Sequence, residues 1–220
     1  MVKVILFDLD NTLVDFMAMK KKSCEAAIDA MISAGLKMKK EDALKILFEL
    51  YDKYGIEYKQ IFQKFLQKVE GKINYRILSH GIVAYRRIKV SALYPYPNVI
   101  PTLLELKKRH KLAIISDAPR MRAWMRLAAM KIDNFFDVVI TSGDVKRKKN
   151  SAIPFRAALR QLNVKPEDAL MVGDWIERDI NTAKSLGIKT CYARYGDDEK
   201  RTSGADYEID DVKDLLKLDI

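Results

Sequence analysis

Two aspartates, Asp8 and Asp10, directly follow the apolar run of residues 2–7. A carboxylate at such a position can attack phosphorus as a nucleophile. A second carboxylic acid nearby can give a proton to a leaving oxygen and later take one from water. Two acids this close repel each other, so they need a counter-ion or a role. The alternative is that they are turn formers, or the N-cap of the next helix.

Polar side chains also close two later apolar runs. Ser116 and Asp117 end one of them, and Asp174 ends another, with Asp179 five positions further on. Because parallel strands align their carboxyl ends along one edge of a sheet, we expect these groups to converge in a single crevice. Several oxygen ligands together with a substrate phosphate suit Mg²⁺.

Other kinds of site have little support in the sequence. Both histidines, His80 and His110, lie in helical or helix-end contexts, so zinc hydrolysis and Ser-His-Asp catalysis are poorly supported. There is no phosphate loop of the form GxxxxGK[ST] and no GxGxxG after a strand. We expect a cytoplasmic protein without a membrane partner, because no apolar run is of spanning length and no leader pattern precedes the first strand. Cys24 and Cys191 are then expected to be unpaired.

The formal net charge is +10. Such a balance can indicate nucleic acid, an acidic membrane surface or an anionic substrate. Here the basic residues are scattered through helical patterns and short runs, and no nucleic-acid-binding motif is present. Solvated helix faces account for most of them, so the sequence does not favour nucleic acid. The field would still attract a small phosphorylated metabolite.

Periodicity predicts an α/β fold with an inserted helical segment. Helical spacing dominates up to residue 88, and strands alternate with helices beyond residue 98. Such alternation predicts a doubly wound, Rossmann-like parallel sheet with helices on both faces. The predicted core domain comprises residues 1–15 and 95–220, and the predicted helical domain residues 16–94. The predicted helices are 17–34, 41–54, 57–69, 77–88, 100–109, 119–130, 151–162, 177–186 and 211–218, and the predicted strands are 2–7, 112–115, 138–141, 169–172, 189–193 and 206–209.

Three motifs together resemble those of the haloacid dehalogenase (HAD) superfamily. Residues 7–13 read FDLDNTL, residues 114–117 read IISD, and residues 172–179 read VGDWIERD. The resemblance covers essentially the whole chain and is to the phosphatases of the superfamily, with a helical cap inserted after the first motif.

The resemblance implies a role for each acid. Asp8 would be the nucleophile that forms an aspartyl-phosphate, and Asp10 the general acid and base. Ser116 and the residues around it, including Asp117, would bind the phosphoryl group.

The same resemblance implies an Mg²⁺ site. Asp8 and Asp174 would hold the ion with the backbone carbonyl of Asp10. Asp179 would support the ion from behind or through water.

The site lysine is the point where the chain departs from the family pattern, which usually has a lysine followed by proline. Residues 146–149 read KRKK, and Asn150 follows. Counting back from Phe155 and the helix that it opens, we place the catalytic and substrate-binding lysine at Lys149, with Lys148 as the alternative. All four residues could instead form a solvated basic loop.

The predicted reaction is Mg²⁺-dependent hydrolysis of a small phosphate monoester of the triose phosphate, phosphoglycolate or sugar phosphate type. Asp10 favours phosphoryl transfer, because a departing halide needs no proton. The alternatives are a 2-haloacid dehalogenase or a phosphomutase on the same fold, or a non-enzymatic protein that binds RNA or another partner.

Polar residues near the ends of the helical segment are candidates for substrate contact, although solvated helix faces explain each of them as well. Trp175, beside Asp174, could border the substrate or pack under its loop. The basic candidates are Lys20, Lys21, Lys22, Arg86, Arg87 and Lys89.

Overall fold

A computed structural model describes residues 1–197, 199 and 201–220. The chain forms two compact units. The first comprises Met1–Phe16 and Leu93–Ile220, and the second comprises Met17–Ala92.

The first unit is built on a six-stranded sheet in which every neighbouring pair is parallel. The strand order, β3-β2-β1-β4-β5-β6, is that of a doubly wound α/β fold. The predicted fold class is thus confirmed. The strands are β1 (Val4–Phe7), β2 (Lys111–Ser116), β3 (Val138–Thr141), β4 (Ala169–Gly173), β5 (Lys189–Ala193) and β6 (Tyr207–Ile209).

The centre of the sheet explains the continuous apolar runs in the sequence. All four residues of β1 and all five of β4 are buried, because both faces of a doubly wound sheet are covered. β1 pairs with β2 on one side and β4 on the other, with Phe7 opposite Ile114 and Val172. The motifs that follow these three strands therefore begin at one level of the sheet.

Helices follow most strands of this unit. Asp211 caps the last one through a capping box with Asp214. This helix, Val212–Lys217, lies where the sequence predicted a helix over residues 211–218, and it is a 3₁₀-helix. Its buried residues, Val212 and Leu215, are three positions apart, which matches the three-residue turn of a 3₁₀-helix. The α-helices of the unit are α5 (Val99–Leu106), α6 (Arg120–Met130), α7 (Ser142–Val145), α8 (Ile153–Leu162) and α9 (Asn181–Ser185), and the 3₁₀-helices are Asp133–Phe135, Pro166–Asp168, Arg194–Gly196 and Val212–Lys217.

The second unit is entirely helical in its regular elements. The third helix begins at Ile61, four residues later than predicted. The residues before it form a turn in which the N–H of Tyr58 donates to the carbonyl of Gly55 at 3.0 Å, and Tyr58 packs against the core from that turn. Phe65 and Leu47 are fully buried in a core that belongs to this unit alone. The helices are α1 (Phe16–Ser33), α2 (Lys40–Tyr54), α3 (Ile61–Glu70) and α4 (Tyr75–Ser91).

Within the described residues, every helix is too short or too polar to traverse a lipid bilayer.

Candidate active site

The strand ends bring three acids together. Asp8 follows β1, Asp174 follows β4, and the backbone N–H of Asp8 donates to the carbonyl of Val172 at 2.9 Å. Asp8, Asp174 and Asp179 are all buried, and one carboxylate oxygen from each lies within 4.8 Å of the others. Neither Asp8 nor Asp10 caps the next helix, since α1 begins at Phe16.

A π-helical turn carries Asp179 back to the strand end. This turn, Ile176–Ile180, overlaps the start of the helix that the sequence predicted over residues 177–186, and α9 continues it. The Asp179 carboxylate accepts the backbone N–H of Trp175 at 3.1 Å. Gly173 is required beneath it, because a Cβ there would collide with the Asp179 side chain. π-helical turns occur frequently at functional sites.

One lysine lies among the three acids. Nζ of Lys149 is 2.5 Å from Oδ1 of Asp8 and 2.6 Å from Oδ1 of Asp179. Lys149 is 3% exposed, whereas Lys148 is exposed to solvent. The structure therefore brings Lys149, and not its neighbour, to the acids.

Asp117 holds the loop that carries this lysine. Its carboxylate accepts the backbone N–H of Lys149 at 2.7 Å and an N–H of Arg178 at 3.3 Å. The loop lacks the proline of the family pattern, and this side chain supplies a restraint in its place. Ser116, the residue before Asp117, is buried, and its hydroxyl oxygen accepts the backbone N–H of Ala118 at 3.1 Å.

Burial and charge shift the ionisation of the cluster. Burial, together with the negative charges of Asp8 and Asp179, raises the pKa of Asp174 well above its usual range. Burial raises the pKa of Asp179 to about 7 against the attraction of Lys149. Burial disfavours the Lys149 cation, but the negative charges of Asp179, Asp8 and Asp117 outweigh this effect and raise the pKa of the amine.

The donor set fits a hard divalent cation. With all three carboxyl groups ionised against one ammonium, the site would carry an excess of buried negative charge, and an added cation would balance it. All the side-chain ligands are oxygen atoms, the type that Mg²⁺ prefers.

Asp10 lies outside this group of three carboxylates. Its Oδ2 is 2.8 Å from Nη1 of Arg126, a buried arginine on α6. Asn11, next in the chain, has a φ of 61°, so the backbone turns sharply after Asp10.

Sequence reasoning assigned no role to three residues at this site. The hydroxyl of Thr12 donates to Oδ1 of Asp174 at 3.0 Å, and Gly196 lies against Asn11 and Asp174. Arg126 is the third. The sequence did contain a signal for Arg126, because a basic residue stands there on the same helix face as the buried Ala123 and Met130.

The candidates near the ends of the helical segment differ in exposure. Lys20 is buried and donates to the hydroxyl of Tyr85 at 2.9 Å within the helical unit. The exposed candidates are Lys21, Lys22, Arg86 and Arg87. Trp175 is 43% exposed, and its ring lies against the guanidinium of Arg178.

Comparison with known proteins gives the same family as the motifs. The family described as haloacid dehalogenase-like hydrolase matches residues 5–193. Glyceraldehyde 3-phosphate phosphatases of Methanocaldococcus jannaschii and Pyrococcus furiosus are each 35% identical to this chain. Both alignments cover 99% of this chain, with 97% and 92% of the respective relatives.

A solved structure agrees in fold. The crystal structure of an HAD phosphatase from Thermococcus onnurineus superposes with a TM-score of 0.69 at 28% identity, over 98% of this chain and 97% of that one. The resemblance inferred from the motifs is confirmed, and the chain belongs to the haloacid dehalogenase-like hydrolase family.

Proposed function

We propose that this protein is a phosphatase that hydrolyses small phosphate monoesters, and that glyceraldehyde 3-phosphate is the first substrate to test. The observation that carries the proposal is the buried contact of Lys149 with Asp8 and Asp179 at the end of the central strand. The names of the relatives from Methanocaldococcus jannaschii and Pyrococcus furiosus support both the reaction and the candidate substrate.

In the first step, a carboxylate oxygen of Asp8 attacks phosphorus. The bond from phosphorus to the ester oxygen breaks, and Asp10 gives its proton to the departing alkoxide. The result is an aspartyl-phosphate and a free alcohol. Lys149 stabilises the negative charge that collects on the phosphoryl oxygens. Ser116 and the backbone amides after it bind those oxygens.

In the second step, Asp10 takes a proton from a water molecule, which attacks the aspartyl-phosphate. Inorganic phosphate leaves, and Asp8 and Asp10 return to their starting states. Mg²⁺ would be held by Asp8, Asp174 and the backbone carbonyl of Asp10, with support from Asp179, and would supply positive charge beside the phosphoryl group.

We also propose that the helical unit, Met17–Ala92, acts as a cap domain that excludes water and supplies substrate contacts. Its insertion directly after the first motif and its own apolar core support this role. A cytoplasmic location is part of the proposal, because unpaired, buried Cys24 and Cys191 suit a reducing compartment.

The test is phosphate release from a panel of esters by the full chain. Glyceraldehyde 3-phosphate, phosphoglycolate and glucose 6-phosphate would be assayed with Mg²⁺ and with EDTA. We expect metal-dependent release by the wild type and none above background by Asp8→Asn. Asp52→Asn removes an exposed aspartate of α2 and should behave like the wild type.

Other outcomes would contradict the proposal. Turnover by Asp8→Asn would exclude this nucleophile. Chloride release from a 2-haloacid without ester hydrolysis would indicate a dehalogenase. Isomerisation of a sugar phosphate without phosphate release would indicate a mutase.

A further inference from the structure

Arg126 is a buried charge on a helix face that otherwise packs into the core. It lies in the middle of α6 beside the buried Ala123, Leu127 and Met130, and its side chain is 3% exposed. An ionised group at such a position is strongly unfavourable unless a partner compensates it. An apolar side chain would be sufficient for packing at this position, so the presence of a buried arginine requires an explanation.

Two groups of the first motif and its flank engage the guanidinium. Nη1 lies 2.8 Å from Oδ2 of Asp10, and the guanidinium carbon lies 4.4 Å from the ring centroid of Phe16. Asp10 and Arg126 are 116 positions apart in the chain. The arginine therefore connects α6 to the loop that carries the proposed general acid.

Asp10 lies beyond β1 in a turn that a bridge between Asp10 and Val14 closes, and Asn11 directly after it adopts a left-handed conformation. The bridge restrains the backbone, and the contact with Arg126 restrains the carboxyl group. The Asp10 side chain is 24% exposed as a whole, its Oδ1 is buried, and the Arg126 side chain at Oδ2 is 3% exposed. Proton transfer requires the carboxyl group within hydrogen-bond reach of the leaving oxygen, and a displacement of about 1 Å can reduce a rate about 100-fold.

We infer that Arg126 is a positioning residue that orients the carboxyl group of Asp10 toward the leaving oxygen of the substrate. This inference rests on the proposed function, in which Asp10 protonates that oxygen. Arg126 itself does not touch the reacting atoms. Its charge-assisted hydrogen bond fixes one carboxylate oxygen and thereby the orientation of the other.

The dependence of rate on the leaving group separates this role from a structural one. An alkoxide is a poor leaving group and needs the proton, whereas acetate leaves acetyl phosphate without one. The measured quantity is kcat/KM for acetyl phosphate divided by kcat/KM for glyceraldehyde 3-phosphate. Each kcat/KM reports on the step in which the leaving group departs from phosphorus. A variant that is merely less folded loses activity with both substrates and leaves this ratio unchanged.

We expect Arg126→Met to raise the ratio by about 10- to 100-fold. In an Asp10→Asn background, the same substitution should change it less than about threefold, because the group that Arg126 orients is then absent. Arg160→Met removes an exposed arginine of α8 and should leave the ratio at the wild-type value. If Arg126→Met does not fold, Arg126→Gln, which is shorter and uncharged, should still raise the ratio at least about threefold.

The inference is overturned if the folded Arg126 variants keep the wild-type ratio, or if their effect adds fully to that of Asp10→Asn. Failure of the proposed function has a different signature. In that case Asp10→Asn would itself leave the ratio unchanged, whatever the arginine variants did.

Discussion

Nζ of Lys149 lies 2.5 Å from Oδ1 of Asp8, and both side chains are buried. The lysine comes from the loop after α7 and the aspartate from the end of β1, so the contact depends on the sheet being assembled. Its neighbour Lys148 is exposed, although the two are chemically identical. This difference allows a matched test.

Lys149→Met should lower kcat/KM for a phosphate ester by about 100- to 1,000-fold, because a positive charge aimed at the phosphoryl oxygens is lost. Lys148→Met should change it less than about threefold, as is usual at an exposed site. Steady-state kinetics with Mg²⁺ would measure both, with circular dichroism to verify folding. Equal losses in the two variants would contradict the assignment of Lys149.

Asp10→Asn should lose most of the turnover yet retain Mg²⁺ binding, since the resemblance implies that only the backbone carbonyl of Asp10 reaches the ion. We expect a loss of about 100- to 10,000-fold, the usual range for a general acid or base. Isothermal titration with Mg²⁺ would measure the affinity of the variant. A large loss of affinity would mean that the Asp10 carboxylate itself is a ligand.

Gly196→Ala should weaken the apparent affinity for Mg²⁺. A Cβ at Gly196 would collide with the carbonyl oxygen of Asn11 and lie 2.8 Å from Cβ of Asp174, so two segments of the proposed metal site would have to separate. We expect the Mg²⁺ concentration at half-maximal activity to rise about 10- to 100-fold, as for other changes behind metal ligands.

Gly204→Ala is the matched control for that prediction. Gly204 has a φ of 64°, but a Cβ there would meet nothing within 4 Å. This variant should lose about 1 kcal/mol of stability through backbone strain and keep the wild-type Mg²⁺ dependence. The same shift in both glycine variants would indicate a general loss of stability.

The two units should respond separately to cavities in their cores. Phe65 is fully buried in the helical unit and Phe155 in the sheet unit. Each substitution by alanine should remove about 3–5 kcal/mol of stability. We expect Phe65→Ala to expose residues 17–92 to limited proteolysis and Phe155→Ala to expose the sheet unit instead. Identical cleavage patterns would contradict the proposed domain organisation.

Local patterns in the sequence were sufficient for the fold class and the family. An apolar run that ends in acids identifies a buried parallel strand and its carboxyl end, because the pattern of consecutive residues reflects both strand geometry and burial. Asp8, Asp10 and Asp174 could therefore be selected without a structure. Helix type was less predictable, since the choice between α, 3₁₀ and π at Ile176–Ile180 and Val212–Lys217 depends on packing.

Contacts between distant segments needed the tertiary structure. Lys148 and Lys149 have the same chemistry and adjacent positions. Burial, the ion pairs with Asp8 and Asp179, and the hydrogen bond from Lys149 N–H to Asp117 distinguish Lys149. From the sequence alone, Gly196 is an ordinary loop glycine. The structure shows that Asn11 and Asp174 lie so close to it that a Cβ would not fit.

The sequence by itself determined which acids stand at the strand ends and what chemistry they can perform, because both follow from residue type and local period. The structure decided which lysine meets them and that Arg126 lies behind Asp10. The physical reason is that a contact across 116 positions leaves no trace in local periodicity and exists only once the sheet and its helices have packed.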